Sequence, residues 1–290
     1  MFASRSFLNI ICFLALMLTV NTIIGPISRT DLIDALGYPC SLLPKTKELY
    51  AQFRDANIQL TKKQLKESVK KDIMIIQAAD SIYEIDKAAN LLAKRLREWY
   101  AYYCPEFSNS IESHEKFAEL IISKSRDELI LELGIRKEDV MGGEIEPADM
   151  DAMLSLARQV HELYIQRSKT ESYIETEMQK IAPNITAVVG GLIGAKLLSH
   201  AGSLRRLATL TSSTIQVLGA EKALFRHMKF GAKAPKHGVI LMHPLLQKAR
   251  NKGRAARAIA DKIAIAAKVD FFKGDFIGDR LSNELEMKLQ

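Results

Sequence analysis

The most regular feature of the chain is a seven-residue spacing of apolar side chains between Ile73 and Tyr103. Two series interleave here: Ile75, Ile82, Ala89, Leu96 and Tyr103 in one, and Ala78, Ile85, Leu92 and Trp99 in the other. Apolar residues at both positions of a sustained heptad pattern are typical of a coiled-coil helix. Because a proline disfavours helix at the residue before it, Cys104-Pro105 predicts the end of this helix.

A second heptad segment runs from Met153 to Ile181, and it is less regular because Arg167 and Thr170 occupy apolar positions. The two segments could pack against each other as an antiparallel hairpin, or each could pair with another chain. Our hypothesis is a long hairpin that self-associates, and a monomeric helical bundle is the alternative. The candidate dimerisation residues are Ile75, Ile82, Leu92, Leu96 and Trp99.

The stretch between the two heptad segments, Cys104–Asp149, carries 12 acidic and five basic residues. Gly134, Gly142, Gly143 and Pro147 predict turns within it. We therefore expect a small acidic helical tip that does not bind a polyanion.

The N-terminal residues 1–45 contain an almost wholly apolar segment, Phe7–Ile24, with Arg5 just before it. Such a segment is typical of a signal-peptide core or a short membrane span. A buried element of a small N-terminal domain is a third interpretation, and a misplaced start codon is a fourth. We treat residues 1–45 as a separate segment, a truncated or atypical N-terminal domain.

The composition changes after Pro183. The apolar run Ile185–Leu198 contains Gly190, Gly191 and Gly194, which lack the spacing of the dinucleotide-binding fingerprint. Their spacing instead predicts helices whose backbones approach closely.

Basic charge is concentrated in the C-terminal third. Between Lys196 and Lys268 there are 15 Lys or Arg and two acids, so the remainder of the chain holds 26 basic and 32 acidic residues. Clustered positive charge binds a polyanion by releasing counterions from its phosphates. The distribution favours nucleic acid as the ligand, with a solvated basic face as the alternative.

Three cations follow Gly219 at helical spacings of four and three, and they are Lys222, Arg226 and Lys229. On a helix these spacings predict one basic face, with Leu224 and Phe225 turned toward the core. Gly219 would let an RNA backbone approach the helix N-terminus, whose free amides favour phosphate oxygens.

Two further basic stretches follow this helix. The loop Lys233–Gly238 contains Lys233, Lys236 and His237, and the run Lys248–Arg257 leads into an alanine-rich helix, Ala255–Lys268. The small side chains of that helix suit close packing.

The chain contains no recognisable catalytic or metal motif. His227, His237 and His243 are accompanied by no H-E-x-x-H pattern, metal-spaced carboxylates or nucleophile elbow. None of the three cysteines has a C-x-x-C partner. We therefore expect no enzymatic activity, metal or cofactor.

The segments that read SSTIQVLGAEKALFRH (Ser212–His227) and GAKAPKHG (Gly231–Gly238) closely resemble the signature of the Nop domain. The best match is the archaeal Nop-family core protein of box C/D small ribonucleoproteins. Asp86–Tyr100 is similar to the coiled-coil domain of that family. The resemblance extends from about Phe53 to the C-terminus.

The resemblance implies an all-α protein with a long antiparallel coiled-coil domain, residues 46–181, and an all-helical Nop domain, residues 182–290. It implies a scaffold of a box C/D guide ribonucleoprotein that self-associates through the coiled coil. The scaffold would bind guide RNA at a kink-turn together with the ribosomal-type kink-turn-binding protein. It would also position fibrillarin for guided 2′-O-methylation of rRNA or tRNA.

Together with the basic run, the motifs give a set of RNA-binding candidates: Gly219, Ala220, Glu221, Lys222, Arg226, Lys229, Lys233, Lys236, His237, Arg254 and Arg257. Fibrillarin is the least supported partner, because the apolar head does not resemble the family's fibrillarin-docking domain. The charge distribution favours a cytoplasmic protein. The rival interpretation is a membrane-anchored interaction protein with a basic helical domain, which requires Phe7–Ile24 to insert.

Overall fold

The computed structural model of the protein describes residues 47–136 and 140–289, and all regular secondary structure in these ranges is helical. The predicted all-α class is confirmed. Backbone proximity divides the chain into two units, Met1–Lys70 and Lys71–Gln290. In the first unit the described element is helix α1, Lys47–Ser68. The predictions for residues 1–45 lie outside the described residues.

The helices described in the second unit are α2 (Lys71–Tyr100), α3 (Pro105–Ser110), α4 (His114–Ser123), α5 (Arg126–Glu132), α6 (Pro147–Ile181), α7 (Pro183–Val189), α8 (Gly191–Ala201), α9 (Leu204–Thr209), α10 (Ser212–Val217), α11 (Glu221–Phe230), α12 (Pro244–Lys248), α13 (Lys252–Phe271) and α14 (Gly278–Leu289), with a 3₁₀ turn at Val239–Met242. As predicted, α2 ends just before Cys104-Pro105, and the proline begins the next helix.

Helices α2 and α6 form a long antiparallel hairpin within one chain. Lys71 at the start of α2 pairs with Glu177 near the end of α6, with 3.6 Å between Nζ and Oε2. Further along α2, Asp86 accepts a hydrogen bond of 2.7 Å from Arg167 Nε. Residue numbers therefore rise along α2 as those of their partners fall along α6, so the two helices are antiparallel.

Three of the five candidate dimerisation residues lie in the chain's own core. Ile75, Ile82 and Leu96 are at most 3% exposed, so they have no surface to offer another chain in this fold. Leu92 and Trp99 are half-buried against the core at the far end of the hairpin. Self-association through α2 stays a prediction, and these two side chains are the ones with exposed area to contribute.

The hairpin has a polar waist near its middle, which we define by Asp86, Arg167 and Glu171. Arg167 bridges the helices through Asp86 and also pairs with Glu171 one turn along α6, at 2.9 Å. On one side of the waist lies the core that contains Ile82 and Ile174, and on the other the core that contains Ala93 and Val160. The residue that interrupts the heptad pattern thus lies between two hydrophobic cores.

The helical tip expected between the heptad segments is formed by α3, α4 and α5, which adjoin the end of α2. Arg97 of α2 holds it in place by donating to His114 Nδ1 at 2.8 Å and to the carbonyl oxygens of Ser108 and Glu112 at 2.8 and 3.1 Å. Its guanidinium also lies 4.5 Å from the centre of the Phe117 ring. One side chain therefore joins three segments of the tip to the hairpin.

Helix α13 is the centre of the C-terminal half, and α7, α9, α10 and α14 pack around it. Its buried small residues are Ala255, Ala256, Ala258, Ala260, Ala264, Ala266 and Ala267. A helix that is apolar on most sides is buried, and alanine lets its neighbours approach closely. The predicted role of this alanine-rich segment in close packing is confirmed.

Glycine has the predicted packing role where α8 crosses α6. A Cβ added to Gly191 would lie 2.3 Å from Glu175 Oε2 and 3.1 Å from Glu175 Cα. The same carboxylate accepts from the amides of Gly191 and Leu192 at 3.1 and 3.2 Å, which caps α8. One hydrophobic core extends from Ile75 and Ile174 through α13, so helices on both sides of residue 182 pack together, and the predicted division into domains at residues 181 and 182 stays a prediction.

A buried carboxylate fastens both ends of the C-terminal half together. Asp270, near the end of α13, accepts from the Asn184 amide at 3.1 Å, the Asn184 side chain at 2.7 Å and the Ile185 amide at 2.9 Å. Asn184 in turn accepts from the Ile277 amide at 2.7 Å. Burial raises the pKa of Asp270, against hydrogen bonds that favour its ionised form.

His243 is a second buried polar group. Its Nε2 donates to the Val188 carbonyl at 3.1 Å, and its Nδ1 accepts from the Leu245 amide at 3.2 Å, which caps α12. This pair of bonds requires the neutral ring, since a proton on Nδ1 would face the amide hydrogen. Burial lowers the pKa of His243, although the bond to Val188 opposes the shift.

We expect His243→Gln to reduce the loss of stability that occurs on acidification. Since its pKa lies below the ordinary 6.5 in the folded state, the unfolded chain binds the proton first as the pH falls. The stability that His243 contributes is therefore present above that value and lost below it. Melting temperatures at pH 7.5 and 5.5 measure the effect, and an equal fall in the wild type and the variant would contradict it.

None of the helices in the described ranges is long and apolar enough to cross a membrane. The segment Phe7–Ile24, on which the membrane-anchored interpretation depends, lies outside those ranges.

Candidate nucleic-acid interface

The basic loop that precedes the 3₁₀ turn is fastened to α10 through main-chain groups. Gly238 N donates to Gln216 O at 3.0 Å and Val239 N to Leu218 O at 2.8 Å, while Gln216 Nε2 donates to Lys236 O at 2.7 Å. A Cβ at Gly238 would lie 1.9 Å from Leu218 O. This close approach requires glycine and fixes the loop beside α10.

The loop, the turn before α13 and the first turns of α13 surround a concave surface, which we call the basic cleft. It consists of adjoining hollows of about 730 and 580 Å³. Its lining residues are Gln216, Lys233, Ala234, Pro235, Lys236, His237, Arg250, Asn251, Lys252, Gly253, Arg254 and Arg257. The Asn251 side chain accepts from the Arg254 amide at 3.2 Å, so it also caps α13 at the cleft wall.

The positive charge of the basic cleft is uncompensated. Its cations are Lys233, Lys236, Arg250, Lys252, Arg254 and Arg257, and all six are exposed. Within residues 47–136 and 140–289, none of the six has a carboxylate at ion-pair distance, whereas Arg167 and Lys262 elsewhere do. Unpaired cations around a hollow attract phosphate groups, because no internal salt bridge has to break first.

Helix α11 projects beside the cleft, and none of its side chains is buried. The expectation that Phe225 faces the core was wrong, since 59% of its surface is exposed. The helix is bounded by Gly219 and Gly231, whose φ angles of +87° and +64° turn the chain sharply at both ends. These turns direct α11 away from the core, so its amphipathic pattern marks an exposed face.

The cations of α11 lie among exposed apolar side chains. Lys222, Arg226 and Phe225 border a shallow depression of about 560 Å³ together with Glu221. The Lys229 ammonium lies 5.7 Å from the centre of the Phe225 ring, within cation–π range. Helix α11 therefore presents basic and aromatic groups together.

Glu221 holds the base of α11 to its surroundings. Its Oε1 accepts from the Gly219 amide at 2.7 Å and lies 3.4 Å from His200 Nδ1. Burial would raise the pKa of Glu221, but hydrogen bonds from its own amide and that of Gly219, together with His200, lower it overall. A carboxylate of the same chain thus lies at the N-terminus of α11, where the sequence predicted that an RNA phosphate would approach.

The structure places eight of the eleven RNA-binding candidates in two groups, and Gly219, Ala220 and Lys229 line neither hollow. The basic cleft brings together Lys233, Lys236, His237, Arg254 and Arg257, and the α11 depression contains Glu221, Lys222 and Arg226. Contact of either group with RNA remains a prediction.

Gln216 and Asn251 line the cleft but were not among the candidates, since the basic runs identify cations alone. The position of Asn251 just before a helix of basic residues is the signal that could have found it, since asparagine is a preferred N-cap.

No group of three or more potential metal ligands occurs in the part of the chain that the structure describes. His243 is buried, and His227 Nδ1 contacts the Ala232 carbonyl oxygen, which ties the end of α11 to the basic loop. His237 lines the basic cleft, so the three histidines considered in the sequence lie in three different environments.

Residues 81–290 match the family model described as Nop, snoRNA binding domain, fibrillarin. The chain is 41% identical over 262 residues to an uncharacterised NOP5 family protein of Methanocaldococcus jannaschii, a match that covers 83% of this chain and 63% of that protein. It is 41% identical over 217 residues to nucleolar protein 58 of Schizosaccharomyces pombe, covering 69% of this chain and 43% of the relative. The chain thus spans less than two thirds of the length of these relatives.

The fold is similar to a chain in the crystal structure of a fibrillarin/Nop5p complex, with a TM-score of 0.51 and 25% sequence identity. The alignment covers 91% of this chain and 93% of the chain in that complex.

Proposed function

Because this chain belongs to the Nop family, we propose that it is a non-catalytic scaffold of a box C/D guide ribonucleoprotein. The observation that carries the proposal is the basic cleft, a concave surface with six exposed cations and no internal ion pairs among the described residues. Such a surface suits the phosphate backbone of a folded RNA. Its partner would be box C/D guide RNA.

We propose further that the RNA is recognised at a kink-turn, together with the ribosomal-type protein that binds the kink-turn. Helix α11 supports this composite mode, because Phe225, Met228 and Phe230 are 59%, 77% and 70% exposed beside its cations. The cations of α11 would bind RNA phosphates, and its large exposed apolar side chains would pack against the surface of the partner protein.

Fibrillarin is the second protein partner that we propose, and it would carry out the 2′-O-methylation that the scaffold directs. The solved complex that contains a chain of similar fold also contains fibrillarin. Self-association would set the spacing of two such assemblies, with Leu92 and Trp99 on the contact face.

We expect the full chain to shift a box C/D kink-turn RNA at lower concentration when the kink-turn-binding protein is present. The physical reason is that RNA and protein together offer a larger complementary surface than either alone. A salt-titrated gel shift with and without that protein measures the effect.

A duplex of the same length without a kink-turn is the control in this gel shift. Partner-dependent binding to the kink-turn RNA supports composite recognition. Equal binding to both RNAs, with or without the partner protein, would mean that the cleft binds polyanions without specificity and would contradict the proposal.

A further inference from the structure

Exposed polar residues lie along α9 and α10, the two helices that lead to the half-buried Gln216 at the edge of the basic cleft. Gln216 lies on α10 at one edge of the cleft, and Ser213 is exposed one turn earlier on the same helix. Thr211 is exposed at the junction, and Arg205 and Arg206 are exposed on α9. We call these residues, Arg205 to Gln216, the α9–α10 strip.

The strip carries positive charge without an internal counter-charge. The sequence from Leu197 to Ala220 contains Arg205 and Arg206 and no acid, and neither arginine has an ion pair among the described residues. The carboxylate that reaches α9 is Asp72, which accepts from the Leu204 and Ile73 amides at 3.2 and 3.0 Å. That carboxylate is therefore engaged with main-chain donors.

The strip is held rigidly on the core. Ser203 and Thr211 cap α9 and α10, accepting from the Arg206 and Thr214 amides at 3.1 and 3.4 Å. The inward faces of both helices pack on α13 through Leu204, Leu207, Ala208 and Ile215, all of which are buried. The outward groups are thus arranged before any ligand binds, which lowers the entropy cost of binding.

The chemistry of the strip favours an RNA backbone over a protein surface. Guanidinium and hydroxyl groups are the groups that contact phosphate and sugar oxygens. Protein interfaces require large apolar or aromatic anchors in addition. No large hydrophobic side chain between Ser203 and Gln216 is among the exposed ones, in contrast to α11.

We infer that the α9–α10 strip is a second backbone-binding segment that extends the RNA footprint beyond the basic cleft. This inference rests on the proposed function. Arg205 and Arg206 bind phosphates, and the Ser213 hydroxyl, whose oxygen lies 2.9 Å from Thr211 Oγ1, bonds to a phosphate or ribose oxygen. Each of the two helices has six residues and is about 9 Å long at 1.5 Å per residue, so the strip is long enough to contact more than one nucleotide.

The test is R205A/R206A in the full chain, bound to the kink-turn RNA in the presence of the kink-turn-binding protein. The matched control is K268A/K288A, which removes the same charge from two exposed lysines on α13 and α14, away from the cleft. R205K/R206K keeps the charge and removes the guanidinium groups. All these positions are exposed, so the fold is expected to persist, and circular dichroism checks this.

We expect R205A/R206A to lower the slope of log affinity against log salt by up to about two, because each lost phosphate contact removes roughly 0.7 to 0.9. Affinity near physiological salt should fall on the order of tenfold. Hydroxyl-radical footprinting should show lost protection at a few nucleotides next to those that the cleft protects. K268A/K288A should change neither footprint nor slope, and R205K/R206K should retain most of the slope.

If the wild type shows no kink-turn-specific binding, the proposed function fails and the inference with it. If the wild type binds and R205A/R206A matches K268A/K288A, the inference alone is overturned. A loss of affinity with an unchanged salt slope and footprint would assign the strip to the protein partner, which also overturns it.

Discussion

K233A/K236A/R254A/R257A should bind the kink-turn RNA on the order of 100-fold more weakly than the wild type near physiological salt. These four cations line one hollow and have no carboxylate partners among the described residues. Each exposed charge contact contributes roughly 0.2–1 kcal/mol, and four of them act on the same ligand. The salt slope should fall by about three to four, since roughly 0.9 is lost per phosphate.

The control for that variant is K94A/K169A/K268A/K288A, which removes four exposed lysines outside the cleft. Both variants lose four positive charges, so a difference between them in RNA affinity or salt slope is due to the position of the cations. Fluorescence anisotropy at several salt concentrations gives affinity and slope together. Equal losses in both variants would mean that the whole charge of the chain, and not the cleft, determines binding.

Asp270→Ala should destabilise the second unit by about 3–5 kcal/mol, the largest stability effect that we expect from one exchange. It removes the acceptor for three donors, two from Asn184 and one from Ile185, at a site 8% exposed. Each buried donor left without a partner costs roughly 1–3 kcal/mol. In a unit of this size the melting temperature should fall by roughly 10 °C.

Asp270→Asn separates the hydrogen bonds from the shape of the side chain. It fills the same volume but keeps one acceptor oxygen, so its loss should be smaller than that of the alanine variant. Asp275→Ala, an exposed acid a few residues later, should leave the melting temperature unchanged. Calorimetry of the three variants tests the assignment, and equal melting of Asp270→Ala and the wild type would refute it.

The hairpin and the packing of α13 could be predicted because local patterns dictate them. Heptad spacing places Ile75, Ile82 and Leu96 on one face of α2, and this face must be buried. Whether it is buried by the same chain or by another is not encoded in the spacing. The structure shows that the chain itself buries them: Ile75 and Ile82 pack with α6 and the helices that follow it, and Leu96 packs with α6 and the helices of the tip.

The candidate site was predictable in its charge but not in its shape. The basic runs identified Lys233, Lys236, Arg254 and Arg257, because charge can be counted without a fold. The exposure of Phe225 could not be read from amphipathic spacing, which is the same for a helix that faces a core and one that faces a partner. The role of Glu221 depends on where the chain brings His200, which lies 21 residues earlier.

The polar waist has a consequence for how the molecule comes apart. With Ile82 and Ile174 on one side and Ala93 and Val160 on the other, the hairpin joins two separate hydrophobic cores. Cooperative unfolding follows contiguous buried contacts. Thermal fluctuations can therefore melt the tip as an independent foldon while the end that carries the basic cleft keeps its structure. Asp86 and Arg167 set the point where such fraying stops.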